Sequence, residues 1–189
     1  MKHIAIRDIT LCALFCALTA VGALLSIPLP FGAVTLQLFF VVLAGFVLTP
    51  RQALLSMVCY IVLGLVGAPV FAGFSGGLSC LTSPTFGFLL GMIACAPLTS
   101  WLLRTLLSRM PYAPAALIAG LAGLAVTYLL GAVYGYFVMR LVLTREVTLW
   151  FIVWNWCLIY LPVDAVKLAA ALAIAPVLRR AVARSSQAA

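Results

Sequence analysis

Polar and apolar positions along this chain fall in long blocks and do not alternate residue by residue. Six apolar runs cover residues 8–27, 34–48, 52–66, 85–103, 115–137 and 159–178, and every arginine and most of the prolines lie outside them. Runs of this length predict membrane-spanning helices, because about 20 helical residues cross the roughly 30 Å hydrocarbon core. The second and third runs are shorter, so loops must complete one end of the bundle. Pro28-Leu29-Pro30-Phe31-Gly32 ends the first helix, and Thr49-Pro50-Arg51 makes a tight turn between the second and third. Residues 67–87 form the longest stretch without a helical pattern. They are rich in glycine yet apolar, with Val70, Phe71, Phe74 and Leu78. Such a loop is not a solvated linker; it is expected to fold back on the bundle and line or cover something. Residues 148–160 are aromatic (Trp150, Phe151, Trp154, Trp156, Tyr160), which reads as an interfacial belt or, for one of them, as a pocket wall.

Composition turns this pattern into a fold class. The chain has 189 residues, of which 67% are hydrophobic, and a mean hydropathy of +1.30. A soluble domain of this length cannot hide that much apolar surface. The expectation is an all-α integral membrane protein of the cytoplasmic membrane. It would be a compact six-transmembrane-helix bundle, a single membrane domain over residues 1–189 without an internal repeat. The N-terminal apolar run reads as the first span, because no small-residue cleavage site followed by a soluble domain is present.

The formal net charge is +8, from 11 basic and three acidic residues. The basic residues are scattered at the ends of apolar runs, a distribution that does not suit nucleic-acid binding. Lys2, Arg7, Arg51, Arg104, Arg109, Arg179, Arg180 and Arg184 fall at one set of helix ends, and Arg140 and Arg145 at the other. The positive-inside rule puts the first set, and with it both termini, in the cytoplasm. Six cysteines form no CxxC pair and His3 is the single histidine, so metal-ligand spacing is missing. They read as small helix-packing residues. Ala13 and Ala17 form a small-xxx-small face, for packing within the bundle or against a partner helix.

Two charges break the last run: Asp164 and Lys167, in Pro162-Val163-Asp164-Ala165-Val166-Lys167. A charge near the middle of a membrane helix costs about 2.5–3.5 kcal/mol on insertion scales. Three residues apart, the two share one helix face and can neutralise each other. A pair of this kind belongs against a polar cavity, where it can grip a ligand, or else it only orients helices. Thr35 and Gln37, at the start of the second run, are further candidates, with helix capping or interhelical hydrogen bonding as the alternative. A nucleophile with its base, or a metal cluster, is missing, which argues against a membrane enzyme. No phosphate-binding Gly-rich Lys motif is present, so energy from ATP would have to come from a partner.

Four segments in order carry a resemblance: Pro30-Phe31-Gly32-Ala33-Val34-Thr35-Leu36-Gln37, Gly64-Leu65-Val66-Gly67-Ala68-Pro69-Val70-Phe71, Gly76-Gly77 followed by Ser83-Pro84-Thr85-Phe86-Gly87-Phe88, and the Asp164–Lys167 segment. With them the chain resembles the BioY-type, biotin-binding S component of energy-coupling-factor vitamin transporters over nearly its whole length. The resemblance implies a six-helix fold and an outward-facing pocket roofed by the loops after spans 1 and 3. It implies substrate-binding roles for Asp164, Lys167, Ser75, Gly76 and Gly77, and makes Ala13 and Ala17 similar to the docking motif for a transmembrane coupling protein that works with two ATPase subunits. It implies biotin as transported ligand, no cofactor and no catalysis. Biotin's urea offers two N–H donors and a carbonyl, which a carboxylate and an ammonium can meet in either arrangement, and Phe71 and the Trp150–Trp156 region supply apolar walls. An S component for thiamine, riboflavin or niacin would share the fold and differ in the pocket. A homo-oligomer acting without the module stays open.

Overall fold

The structure, a computed structural model, describes residues 6–29 and 32–187. Lys2, His3 and the Pro30-Phe31 pair of the first motif lie outside the described residues.

Helix α1 (Ile6–Leu24) leads into a hairpin of β1 (Ser26–Leu29) and β2 (Gly32–Thr35), paired antiparallel from Ser26 opposite Thr35 to Leu29 opposite Gly32. Helices α2 (Gln37–Val47) and α3 (Pro50–Leu65) follow. After a loop with two short 3₁₀ turns come α4 (Phe86–Leu106) and α5 (Tyr112–Phe137), the latter prolonged by a π turn at Val138–Val142. Helix α6 (Leu149–Ile152) runs into a second π turn, Val153–Leu158, and α7 (Leu161–Gln187) closes the chain. Four segments, Ile6–Leu24, Phe86–Leu106, Tyr112–Val142 and Leu161–Arg184, are long and apolar enough to cross a bilayer. The chain is a multi-pass membrane protein, all-α apart from the hairpin.

The hairpin departs from the sequence pattern. Residues 25–29 read as the end of the first helix and its break, and residues 34–36 as the start of the second. They form strands because Pro28 cannot continue a helix and Ile27, Val34 and Thr35 are β-branched. The aromatic stretch, which the sequence pattern left outside the six runs, folds as the short α6 segment and the π turn after it.

Helix α2 is the axis of the core. Nine of its 11 residues are buried, on every side of the helix, which suits an element surrounded by α1, α4 and α7. Its start is set by the hairpin and its end by the Thr49 capping box, where Gln52 N donates to Thr49 Oγ1 at 3.4 Å and Thr49 N to Gln52 Oε1 at 2.9 Å. Eleven residues rise roughly 16 Å, about half the hydrocarbon thickness. The other half of the bundle axis is left to the loops, and that is where the site lies.

Helices α4 and α5 pack closely along small residues. Gly91 lies against the Thr127 backbone, and Gly123 against Cys95 and Thr99. With no hydrophobic drive between helices in lipid, such close backbone approach supplies the packing that holds them. On α1 the inward face is Cys16, Thr19, Gly22 and Ala23, with Cys12 beside it: Cys12 Sγ donates to Gln52 O at 3.4 Å and Ser56 Oγ donates to Cys12 O at 3.0 Å. All six cysteines are unpaired. Cys16 and Cys95 are buried as helix-packing residues should be, whereas Cys59 is exposed on the outer face of α3.

Candidate functional site

A cavity of about 400 Å³ sits above the start of α2. The hairpin walls it on one side and the loop between α3 and α4 on another; the first turns of α4 and α7, the middle of α5 and the π turn after α6 complete it. The chain places Asp164 in the first turn of α7, where the amide end of the helix favours a carboxylate, and Lys167 one turn further in. Both line the cavity. Their side chains are 7% and 11% exposed, and Lys167 Nζ donates to Asp164 Oδ1 at 2.6 Å. Tyr128 of α5 donates its hydroxyl proton to the other oxygen, Oδ2. Each carboxylate oxygen therefore has a donor, which is what keeps a buried charge tolerable.

Gln37 and Thr35 also line the cavity, and they fasten it. Thr35 Oγ1 donates to Gln37 Oε1 at 3.5 Å, Gln37 Nε2 to Tyr60 Oη at 2.7 Å, and Tyr60 Oη to Val70 O at 3.0 Å. One chain of hydrogen bonds thus ties hairpin, α2, α3 and loop together. Phe71 is 3% exposed, packs edge-on to Tyr60 and Phe86 with ring centroids at 5.5 and 6.5 Å, and presses on Gly64.

Ser75 lines the cavity, with its hydroxyl donating to Ala72 O at 2.9 Å. Gly76 and Gly77 are not among the lining residues. A Cβ at Gly76 would collide with the Ala68 carbonyl oxygen. Gly77 has φ +90°, and its N–H donates to Gly64 O at 2.7 Å. The geometry gives this pair the work of laying the loop on the end of α3. Ala13 and Ala17 are exposed on the outer face of α1, away from the cavity and from the chain's own helices.

Sequence reasoning did not single out Tyr128, one of five tyrosines in apolar runs, because its partner lies 36 residues away. It also left Tyr160, Ser83 and Thr85 unranked, all of which line the cavity. Of the tryptophans, Trp150 and Trp154 are exposed with ring centroids 5.8 Å apart, as an interfacial belt requires. Trp156 is 5% exposed and lines the cavity, and its indole N–H has no acceptor. Among the described residues no three metal-ligating side chains converge.

A buried, hydrogen-bonded charge pair in a half-apolar cavity, at one end of a membrane helix bundle, defines a membrane protein with a small-molecule site. The chain belongs to the BioY family, whose sequence model matches residues 1–184. It is 40% identical over 125 residues to the probable biotin transporter BioY of Pyrococcus horikoshii, covering 66% of this chain and 72% of that one. It is 40% identical over 137 residues to the biotin transporter BioY of Rhodobacter capsulatus, covering 71% of each. The fold is similar to a crystal structure of the S-component for biotin from an ECF-type ABC transporter. The TM-score is 0.79 at 23% identity, covering 93% of this chain and 92% of that chain.

Proposed function

We propose that the chain is the biotin-binding S component of an energy-coupling-factor transporter, a transport subunit and not an enzyme. The observation that carries this reading is the Tyr128–Asp164–Lys167 cluster buried in the cavity, in a family whose relatives are named as biotin transporters. A cavity of this volume suits a vitamin-sized ligand. The ammonium and the carboxylate offer a donor and an acceptor for the two faces of a cyclic urea, or the ammonium takes the valerate carboxylate. Trp156 keeps an uncommitted indole N–H for an acceptor on the ligand, and Phe71, Phe86 and Phe88 offer apolar walls. Ser75, Thr35 and Gln37 complete the polar lining.

The same reading takes six segments as membrane spans in one domain, with α2 and α3 completed at their cavity end by the hairpin and the loop. By the positive-inside rule, the arginines at the opposite end support both termini in the cytoplasm and a cavity that opens outward. Exposed Ala13 and Ala17 leave α1 a close-approach face for the transmembrane coupling protein, which works with two ATPase subunits.

The test is binding of radiolabelled biotin to the purified protein, in competition with thiamine, riboflavin and niacin. Unlabelled biotin alone is expected to displace the label. Displacement by another of these vitamins at equal concentration sinks the biotin assignment.

A further inference from the structure

At the opposite end of the bundle from the cavity, a second polar cluster is left incomplete. Arg179, near the end of α7, lies over the Tyr112 ring at the start of α5, with its guanidinium carbon 5.4 Å from the ring centroid. Arg179 Nη1 and Tyr112 Oη are both buried and neighbour each other, and neither has a hydrogen-bond partner from elsewhere among the described residues. Arg104, at the end of α4, lies close enough for its charge to oppose that of Arg179. Part of its fork is already used: Nη2 donates to Leu48 O at 3.3 Å, and Nε to Ser100 Oγ at 3.4 Å.

Two cations at one end of the bundle, with a buried guanidinium N–H and a phenol that meet no partner besides each other, call for an acceptor with negative charge. The described residues do not supply one. The chain has three acidic residues. Asp8 is taken by Gln52 at 2.8 Å and Arg7 at 3.9 Å, and Asp164 by Lys167 and Tyr128. Glu146 follows the far end of α5.

We propose that Arg179, Tyr112 and Arg104 form a binding site for one phosphate-type anion, supplied by the headgroup of an anionic phospholipid. A guanidinium fork and a phenol match phosphate oxygens. Ends of membrane helices lie at headgroup depth, where basic pockets between helices take such lipids. Exposed Leu117 and Ile118 on α5 and Ile174 and Val177 on α7 run from the site toward mid-membrane and offer a surface for acyl chains. This site does not depend on what the cavity binds.

The test is native mass spectrometry and thermal unfolding of the full chain in detergent, titrated with phosphatidylglycerol, phosphatidylcholine or inorganic phosphate. Phosphatidylglycerol is expected to bind and to raise the unfolding temperature, and phosphatidylcholine to do neither. Arg179→Gln is expected to weaken phosphatidylglycerol binding about fivefold to tenfold. Arg184→Gln, the same charge loss at an exposed position five residues on, is expected to change it less than about twofold. Tyr112→Phe keeps the ring and loses the hydroxyl, and serves if Arg179→Gln does not fold; about threefold weakening is expected. Equal effects of Arg179→Gln and Arg184→Gln, or binding of phosphatidylcholine as strong as that of phosphatidylglycerol, overturn the site. Stabilisation by inorganic phosphate that depends on Arg179, with nothing added by phosphatidylglycerol, keeps the anion site and overturns the lipid as its source.

Discussion

The two ends of the bundle treat buried charge in opposite ways. At the cavity end, Asp164 has a donor on each oxygen, yet space of about 400 Å³ is left beside it. At the other end the helices close with a capping box and tight packing, yet Arg179 and Tyr112 keep donors with no acceptor beyond each other. Satisfied charge beside empty space suits a ligand that comes and goes, because the protein is stable without it. Unsatisfied charge without much space suits a ligand that stays. On the two proposals above the contrast is one of residence time, and it starts with α2, which fills the axis at one end and stops short at the other.

The comparison breaks first at Asp164. Asp164→Asn is expected to weaken biotin binding by about a hundredfold or more in an equilibrium assay, because the ligand and Lys167 both lose their anion. Replacing the pair with Leu at 164 and Met at 167 separates holding the fold from holding the ligand. Unfolding temperature is expected to be kept or raised, since apolar replacements of buried pairs are often neutral or stabilising, while binding is lost. A double variant that still binds biotin would remove the pair from the site.

Smaller losses sharpen the picture. Tyr128→Phe strips one donor from Asp164 and is expected to weaken binding about tenfold, as a hydrogen bond to a charged group allows. Trp156→Phe removes the uncommitted N–H and is expected to cost about fivefold by the same titration. Gly77→Ala places a side chain at φ +90° and is expected to destabilise the loop by about 1–3 kcal/mol, read as faster proteolysis between α3 and α4. Ala17→Leu is expected to leave biotin binding unchanged and to reduce co-purification with the coupling protein. Intact co-purification would return Ala13 and Ala17 to ordinary lipid-facing positions.

Much of this was written in local pattern. The long helices follow from apolar runs bounded by arginine and proline, and Asp164 and Lys167 stand out because charge inside such a run is rare and their spacing puts them on one face. The small residues of α5 at 119, 123, 127, 131 and 135 were equally visible as a close-packing file, though the shorter Ala13–Ala17 repeat drew attention instead. Tyr128 was not legible as a cavity residue, and the Trp150–Trp156 region was legible as a candidate wall without showing which tryptophan turns inward. Nothing in the neighbourhoods of Tyr128 and Trp156 distinguishes them from other nearby aromatics, and their roles depend on which face of α5 and of the α6 segment turns inward.

Sequence alone settled the solvent, the long helices and the place of the one buried acid–base pair, since each depends on residues near one another along the chain and on the cost of charge in oil. Tertiary structure decided the rest. It paired residues 26–29 with residues 32–35 as a hairpin, gave Gly76 and Gly77 to the loop's seat on α3, joined Tyr128 to Asp164, and left Arg179 Nη1 with no acceptor beyond the neighbouring Tyr112. These depend on which distant segments meet, and in a bundle where nearly every face is apolar, packing alone makes that choice.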